Sequence, residues 1–200
     1  MKRIIKKLLI KNSCNYWEQR YKKGGFSGNG SRGDEVKRKA DFVNDFIDQN
    51  NIETLIDFGC GDGEFCSLLD IKNYIGLDVS KTIVNECKKK FITDTSKRFL
   101  LYKDKASLKA DLAISLDVIF HLLENRVFNE YMHKLFHSSN KYIIIYSSNV
   151  NQKTTSFHVK HRKFTDWINH NKKEWELIST TKDFCSKNNP KKEFYIYKKK

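Results

Sequence analysis

The chain has 200 residues, 39% of them hydrophobic and 13% aromatic, which suits one domain with its own core and excludes a disordered chain. No apolar run approaches the roughly 18 residues that span a bilayer, and Ile4-Ile5 and Leu8-Leu9-Ile10 are broken by Lys6 and Lys7 with no small-residue cleavage site after them. Neither a membrane span nor a signal peptide is therefore expected. The formal charge of +14 attracts anionic partners, but it is carried by scattered lysines with only seven arginines and no arginine-rich patch, which argues against a nucleic-acid partner.

The five cysteines, Cys14, Cys60, Cys66, Cys87 and Cys185, are odd in number and form no C-x-x-C pair. They read as free thiols in a reducing cytoplasm, with no metal site. In chain order, the first 23 residues are expected to be helical in two pieces, with Tyr16, Trp17, Arg20 and Tyr21 on one face. Gly24, Gly25, Gly28, Gly30 and Gly33 then mark a loop. Helical spacing returns from Asp34 to about Asn50. Residues 1–35 thus read as a helical cap with a glycine-rich lid, and 36–200 as the main domain.

Beyond that helix, short apolar runs alternate with helical stretches. The runs are Thr54–Phe58, Tyr74–Asp78, Phe99–Tyr102, Leu112–Leu116, Tyr142–Ser147, Leu177–Thr181 and Glu193–Tyr197. Continuous apolar runs suit strands covered on both faces, and the alternation predicts a doubly wound, mostly parallel α/β sheet of seven strands. The last two runs, separated only by the turn-like stretch Ser186–Lys192, predict an antiparallel hairpin.

The informative segment is Leu55-Ile56-Asp57-Phe58-Gly59-Cys60-Gly61-Asp62-Gly63-Glu64-Phe65, an apolar strand, a glycine turn and then an expected helix start. A second strand ends in Asp78, whose carboxylate can accept two hydrogen bonds from ribose hydroxyls. The dinucleotide fingerprint G-x-G-x-x-G fails because Glu64 stands where its last glycine belongs. Asp57 and Asp62 would repel a pyrophosphate but suit a ligand bearing an ammonium and a sulfonium.

D-F-G-C-G-D-G-E-F, then Y-I-G-L-D-V-S, then D-L-A-I-S-L-D-V-I-F-H-L resembles, in order and spacing, the class I methyltransferases that use S-adenosylmethionine (SAM). The resemblance covers roughly residues 36 to 150 and implies their Rossmann-like fold. It also implies that Gly59, Gly61 and Gly63 underlie the methionine part of SAM with Asp57 near its amino group. Asp78 would hold the ribose, Val79 pack on the adenine, Asp104 contact the adenine amine, and Leu116 and Asp117 lie beside the sulfonium and the acceptor.

The segment lacks the Asn/Asp-Pro-Pro-Tyr run, the Pro-Cys pair and the three-cysteine pattern of nucleobase and radical enzymes. For acceptor chemistry the candidates are His121, one turn beyond Asp117, and His158, His161 and Arg162, expected to open the helix through Trp167. His121, His161 and Asp117 are the candidate catalytic groups; Tyr16, Tyr21, His158 and Arg162 are the candidate acceptor contacts. The motif Y-W-E-Q-R-Y, the glycine loop and H-V-K-H-R-K-F-T-D-W together look like small bacterial methyltransferases of surface-polysaccharide biosynthesis. That resemblance implies O-methylation of a sugar or phosphate-containing group of a capsule or similar glycan. An RNA or protein methyltransferase, supported by the net charge, and a non-catalytic SAM-binding domain are the competing readings. The oligomeric state has no signature in the sequence.

Overall fold

The structure, a computed structural model, describes residues 12–103, 107–181 and 190–200; Asp104, Cys185 and the first helical piece expected near the start lie outside them. Helix α1 (Ser13–Lys22) is capped by Asn12, whose side chain accepts from the Asn15 amide. Helix α2 (Gly33–Gln49) buries Val36, Lys39, Ala40, Val43 and Ile47 along one stripe, the spacing of an amphipathic helix.

Seven strands follow: β1 (Thr54–Phe58), β2 (Asn73–Asp78), β3 (Lys97–Leu101), β4 (Ala110–Leu116), β5 (Ser139–Ser147), β6 (Trp175–Thr181) and β7 (Glu193–Lys199). They form one sheet in the order β3-β2-β1-β4-β5-β7-β6, parallel except for β7, which runs antiparallel between β5 and β6. This is the seven-stranded, mostly parallel sheet with its terminal hairpin that the alternating runs predict. Helix α3 (Lys81–Lys90) starts at Ser80, whose hydroxyl accepts from the Ile83 amide. Helices α4 (Asn125–His137) and α5 (Phe164–Asn171) complete the layers.

Both sheet faces are covered except along the β6 edge, where most residues are exposed. Val43, Ile47, Ile83 and Cys87 pack on one face with Leu55, Leu112 and Ile144. Met132, Leu135 and Ile168 pack on the other with Ile56, Ala113 and Ile143. Strand residues of opposite parity therefore face opposite layers, as the pleat requires.

Two local expectations are corrected. The helix expected after the glycine turn is only a 3-10 turn at Cys66–Leu68. Asn44 of α2 brackets that turn, donating to the Leu68 carbonyl at 2.9 Å and accepting from the Asp70 amide at 3.0 Å, while Phe65, Leu69 and Ile71 go into the core. Similarly, α5 begins at Phe164, and 158–163 is irregular chain tied to the turn after β4 by the Lys160 amide donating to the Phe120 carbonyl.

Candidate active site

The carboxyl ends of β1, β2 and β4 meet where the strand order reverses direction, the place where open α/β sheets bind ligands. The turn after β1 holds Gly59, Gly61 and Gly63 at φ of 89°, 57° and 73°, left-handed values that favour glycine. A Cβ on Gly59 would stand 2.5 Å from Val118, and one on Gly61 2.4 Å from the Ser27 hydroxyl. Close approach as well as turning therefore requires glycine at both positions.

Asp78, buried at the end of β2, accepts from the Gly61 amide at 3.1 Å and the Ser80 amide at 2.9 Å. It organises the glycine turn and the start of α3 at once. Burial pushes its carboxyl up to about 6 against these donors. Asp57, 3% exposed, accepts from the Tyr74 hydroxyl at 2.8 Å, and burial pushes it up to about 7. Two buried carboxylates line one cavity, and neither forms an ion pair among the described residues. A cationic ligand carrying hydroxyls would relieve both.

The roof of this cavity comes from α1 and the glycine loop. Glu18 accepts from the Ser80 and Thr82 hydroxyls at 2.6 and 2.9 Å, fastening α1 to the start of α3. Despite its partial burial, these donors hold the Glu18 carboxyl down at about 2. The loop is fastened at Asp62, which accepts from the Ser27 amide at 3.1 Å and pairs with both Arg32 terminal nitrogens at 3.1 and 2.8 Å. The enclosed space is about 440 Å³, within the range that takes a cofactor-sized molecule.

At the opposite wall, Asp117 sits at φ 61° just after β4. One carboxylate oxygen is 2.7 Å from Lys39 and the other 2.8 Å from Lys192, which also reaches Glu35 at 2.9 Å. Burial favours the neutral acid, but the two lysines hold Asp117 below its ordinary value. A carboxylate so compensated positions the wall; it is a poor proton acceptor.

His121 ends the 3-10 turn Ile119–His121 and opens onto the cavity. Its Nδ1 lies 2.9 Å from the His158 carbonyl. A carbonyl only accepts, so Nδ1 carries the hydrogen and Nε2 keeps its lone pair. The ring stacks on His158 (5.3 Å between centroids, 12°) and meets the edge of Trp17 at 5.0 Å. Burial lowers His121 to about 4, so it is neutral at ordinary pH.

The structure thus brings together Asp57, Gly59, Gly61, Asp78, Val79, Leu116, Asp117, His121, His158 and Tyr21 around one cavity. Gly63 completes the turn beneath it, where a Cβ would press on Phe91 at 2.7 Å. Tyr16 stands one layer back, its ring stacked on His158 at 5.1 Å. His161 is elsewhere: it bonds the Ser148 hydroxyl at 2.7 Å and lines a shallow cleft with Asn151 and Lys160. Arg162 is occupied by the Leu122 and Leu123 carbonyls at 2.6 and 3.0 Å, with its guanidinium over Phe128. Neither is brought to the cavity.

Residues 56–143 match the family model described as a methyltransferase domain. The chain carries a methyltransferase domain in that stretch, which holds the glycine turn and strands β2 to β4. Among solved structures, it resembles the N-methyltransferase NodS from Bradyrhizobium japonicum WM9 in complex with S-adenosyl-L-homocysteine (SAH). Identity is 10%, the match covers 94% of this chain and 99% of that one, and the TM-score is 0.72. It also resembles the magnesium protoporphyrin IX methyltransferase of Synechocystis PCC 6803 with bound SAH (14% identity, 82% and 83% covered, TM-score 0.64). A third likeness is to the small RNA methyltransferase HEN1 (18% identity, 82% of this chain and 25% of that one, TM-score 0.62). Identities this low carry the fold and leave the acceptor open. No curated protein sequence matches the chain.

SAM would supply an already activated methyl group in this cavity. The residues present suit it: two buried carboxylates for its positive charges and hydroxyls, and a glycine turn open to close approach. Several residues of the site were not legible as such in the sequence. Lys39 had one signal, a lysine on the apolar face of α2 between Val36 and Ala40. Tyr74 and Lys192 had none, because their roles come from partners 17 and 75 residues away.

Proposed function

We propose that this protein transfers the methyl group of SAM to an oxygen of a small, anionic acceptor. The acceptor is a sugar hydroxyl or a phosphate-containing group, modified during assembly of a capsule or similar surface polysaccharide. His121 carries the reading: a neutral imidazole on the cavity wall with one nitrogen locked and the other free to accept. Asp57, Asp78 and the glycine turn would hold SAM, which would supply the activated methyl group, and Nε2 of His121 would take the proton that the acceptor hydroxyl gives up. Alignment in the cavity supplies much of the acceleration, because the carbon is already activated.

The roof formed by α1 and the glycine loop supports a small acceptor, since it narrows the way in. The polysaccharide context rests on the sequence resemblance alone. The experiment is a product assay by mass spectrometry with SAM and a panel of neutral, carboxylated and phosphorylated sugars, run beside RNA and protein substrates. A gain of one methyl on an acidic sugar, lost in His121→Gln with SAH affinity intact, supports the proposal. Methylation confined to RNA or protein, or full activity in His121→Gln, refutes it.

A further inference from the structure

Among the described residues, three lysine or arginine side chains line the cavity, and two are neutralised: Lys39 by Asp117, and Lys192 by Asp117 and Glu35. Arg20 is different. Its Nε donates to the Phe26 carbonyl at 2.7 Å and its Nη1 to the Tyr16 hydroxyl at 3.2 Å. Neither partner is charged, and no carboxylate pairs with it among the described residues. The guanidinium stands over the Trp17 and Phe26 rings, both at 5.6 Å to the centroid. It is held in place by neutral groups, a partly enclosed cation that a bound anion would satisfy.

Its neighbours place it on the acceptor side. Trp17, beside Arg20, touches His121, which follows β4; Tyr16, bonded to Arg20, stacks on His158, which follows β5. Asp78 and the glycine turn, by contrast, lie at the ends of β2 and β1. The charged and titratable groups acting on His121 are Arg20 and His158, which disfavour its protonation, and Asp117, which favours it. Asp117 is already compensated by its lysines, so a base of ordinary strength at His121 requires another negative charge.

We propose that Arg20, with His158 beside it, binds the acceptor's own acidic group, a carboxylate or a phosphate, and that the same anion stabilises the protonated imidazole of His121. Only an acidic acceptor then completes the base, so Arg20 acts as a specificity determinant and a neutral sugar of the same shape is a poor substrate. This deepens the function proposed above and rests on it.

The test uses the full chain saturated with SAH, with glucuronate, inorganic phosphate and methyl glucoside as probes. Calorimetry measures probe binding, and proton NMR of the imidazole follows the titration of His121. Glucuronate or phosphate should bind the wild type, and the His121 titration should move upward in its presence; methyl glucoside should do neither. A response to only one of the two anions names the acid. Arg20→Gln should weaken anion binding about tenfold or more, the scale of a charge-assisted pair, and abolish the His121 shift, with SAH affinity within about twofold of wild type. Arg20→Lys, which keeps the charge and loses the fork, should retain part of both effects. The proposal is overturned if no anion binds the wild type, if anion binding leaves His121 unmoved, or if Arg20→Gln costs SAH affinity instead. The wild-type NMR arm decides the matter even if the variants misfold. Failure of the wild type to bind SAH at all would instead strike at the methyltransferase reading.

Discussion

Asp57 illustrates how the site trades stability for cofactor binding, and Asp57→Asn should separate the two. The carboxyl is 3% exposed, has the Tyr74 hydroxyl as donor and titrates at about 7 in the fold against an ordinary 3.8. Between those values the folded protein holds a proton that the unfolded chain has released, so stability falls as pH rises from about 4 to 7, and the cost is complete above 7. The full cost of the ionised form is on the order of 4 kcal/mol. An asparagine of the same shape removes it but buries an amide, leaving a net gain of about 1–2 kcal/mol at pH 8. For a chain of this length that raises Tm by about 3–6 °C. At pH 4, where Asp57 is protonated anyway, only the buried amide's cost of about 2–3 kcal/mol remains, so Asp57→Asn should melt several degrees below the wild type. SAM affinity should move the other way, falling about tenfold or more at pH 8 because the negative charge facing the cofactor is gone. Scanning calorimetry from pH 4 to 8 and SAM titration of both proteins form the assay. A lower Tm for Asp57→Asn at pH 8, or unchanged SAM affinity, would refute the reasoning.

Three further outcomes follow from the geometry. Asp78→Ala removes the acceptor for the Gly61 and Ser80 amides and should weaken SAM binding about a hundredfold by titration calorimetry; unchanged affinity would remove Asp78 from the cofactor site. Glu18→Gln should loosen the roof and speed SAH release in stopped-flow. In the wild type the fastening by Glu18 is fully present above 4.5 and is lost as pH falls through about 2, so the variant's effect should vanish in acid. His161→Gln should leave turnover within about twofold of wild type, since His161 bonds Ser148 outside the cavity; a large loss of activity would return it to the mechanism.

Apolar runs and local motifs carried most of the fold into the sequence. Most strands were readable because buried strands are continuous apolar stretches, and β6, exposed over most of its length, because of its β-forming residues and the turn that separates it from β7; β3 to β6 extend further toward their N-termini than the runs do. The ladder explains the extension: Lys97 and Arg98 of β3 pair with Tyr74 and Ile75, so backbone hydrogen bonds carry the strand past its apolar core. The helix expected after the glycine turn failed because tertiary contacts with Asn44 and the core outweighed local pattern.

The cofactor side of the site was readable for the same reason as the strands: Asp57, the three glycines and Asp78 lie at strand ends, where sequence spacing and spatial spacing agree. The acceptor side was not. Arg20, His121 and His158 come from three separate segments joined by ring stacking, and the H-V-K-H-R run divides between the cavity and the surface. Irregular chain has no period from which to read which side chain turns inward.

The central claim is that the cavity under α1 holds SAM. Titration calorimetry of the wild-type protein with SAM and with SAH tests it most directly. Both should bind at micromolar concentration, with a stoichiometry of one per chain and with protons released near pH 7 as Asp57 ionises. Binding of neither at millimolar ligand would contradict it.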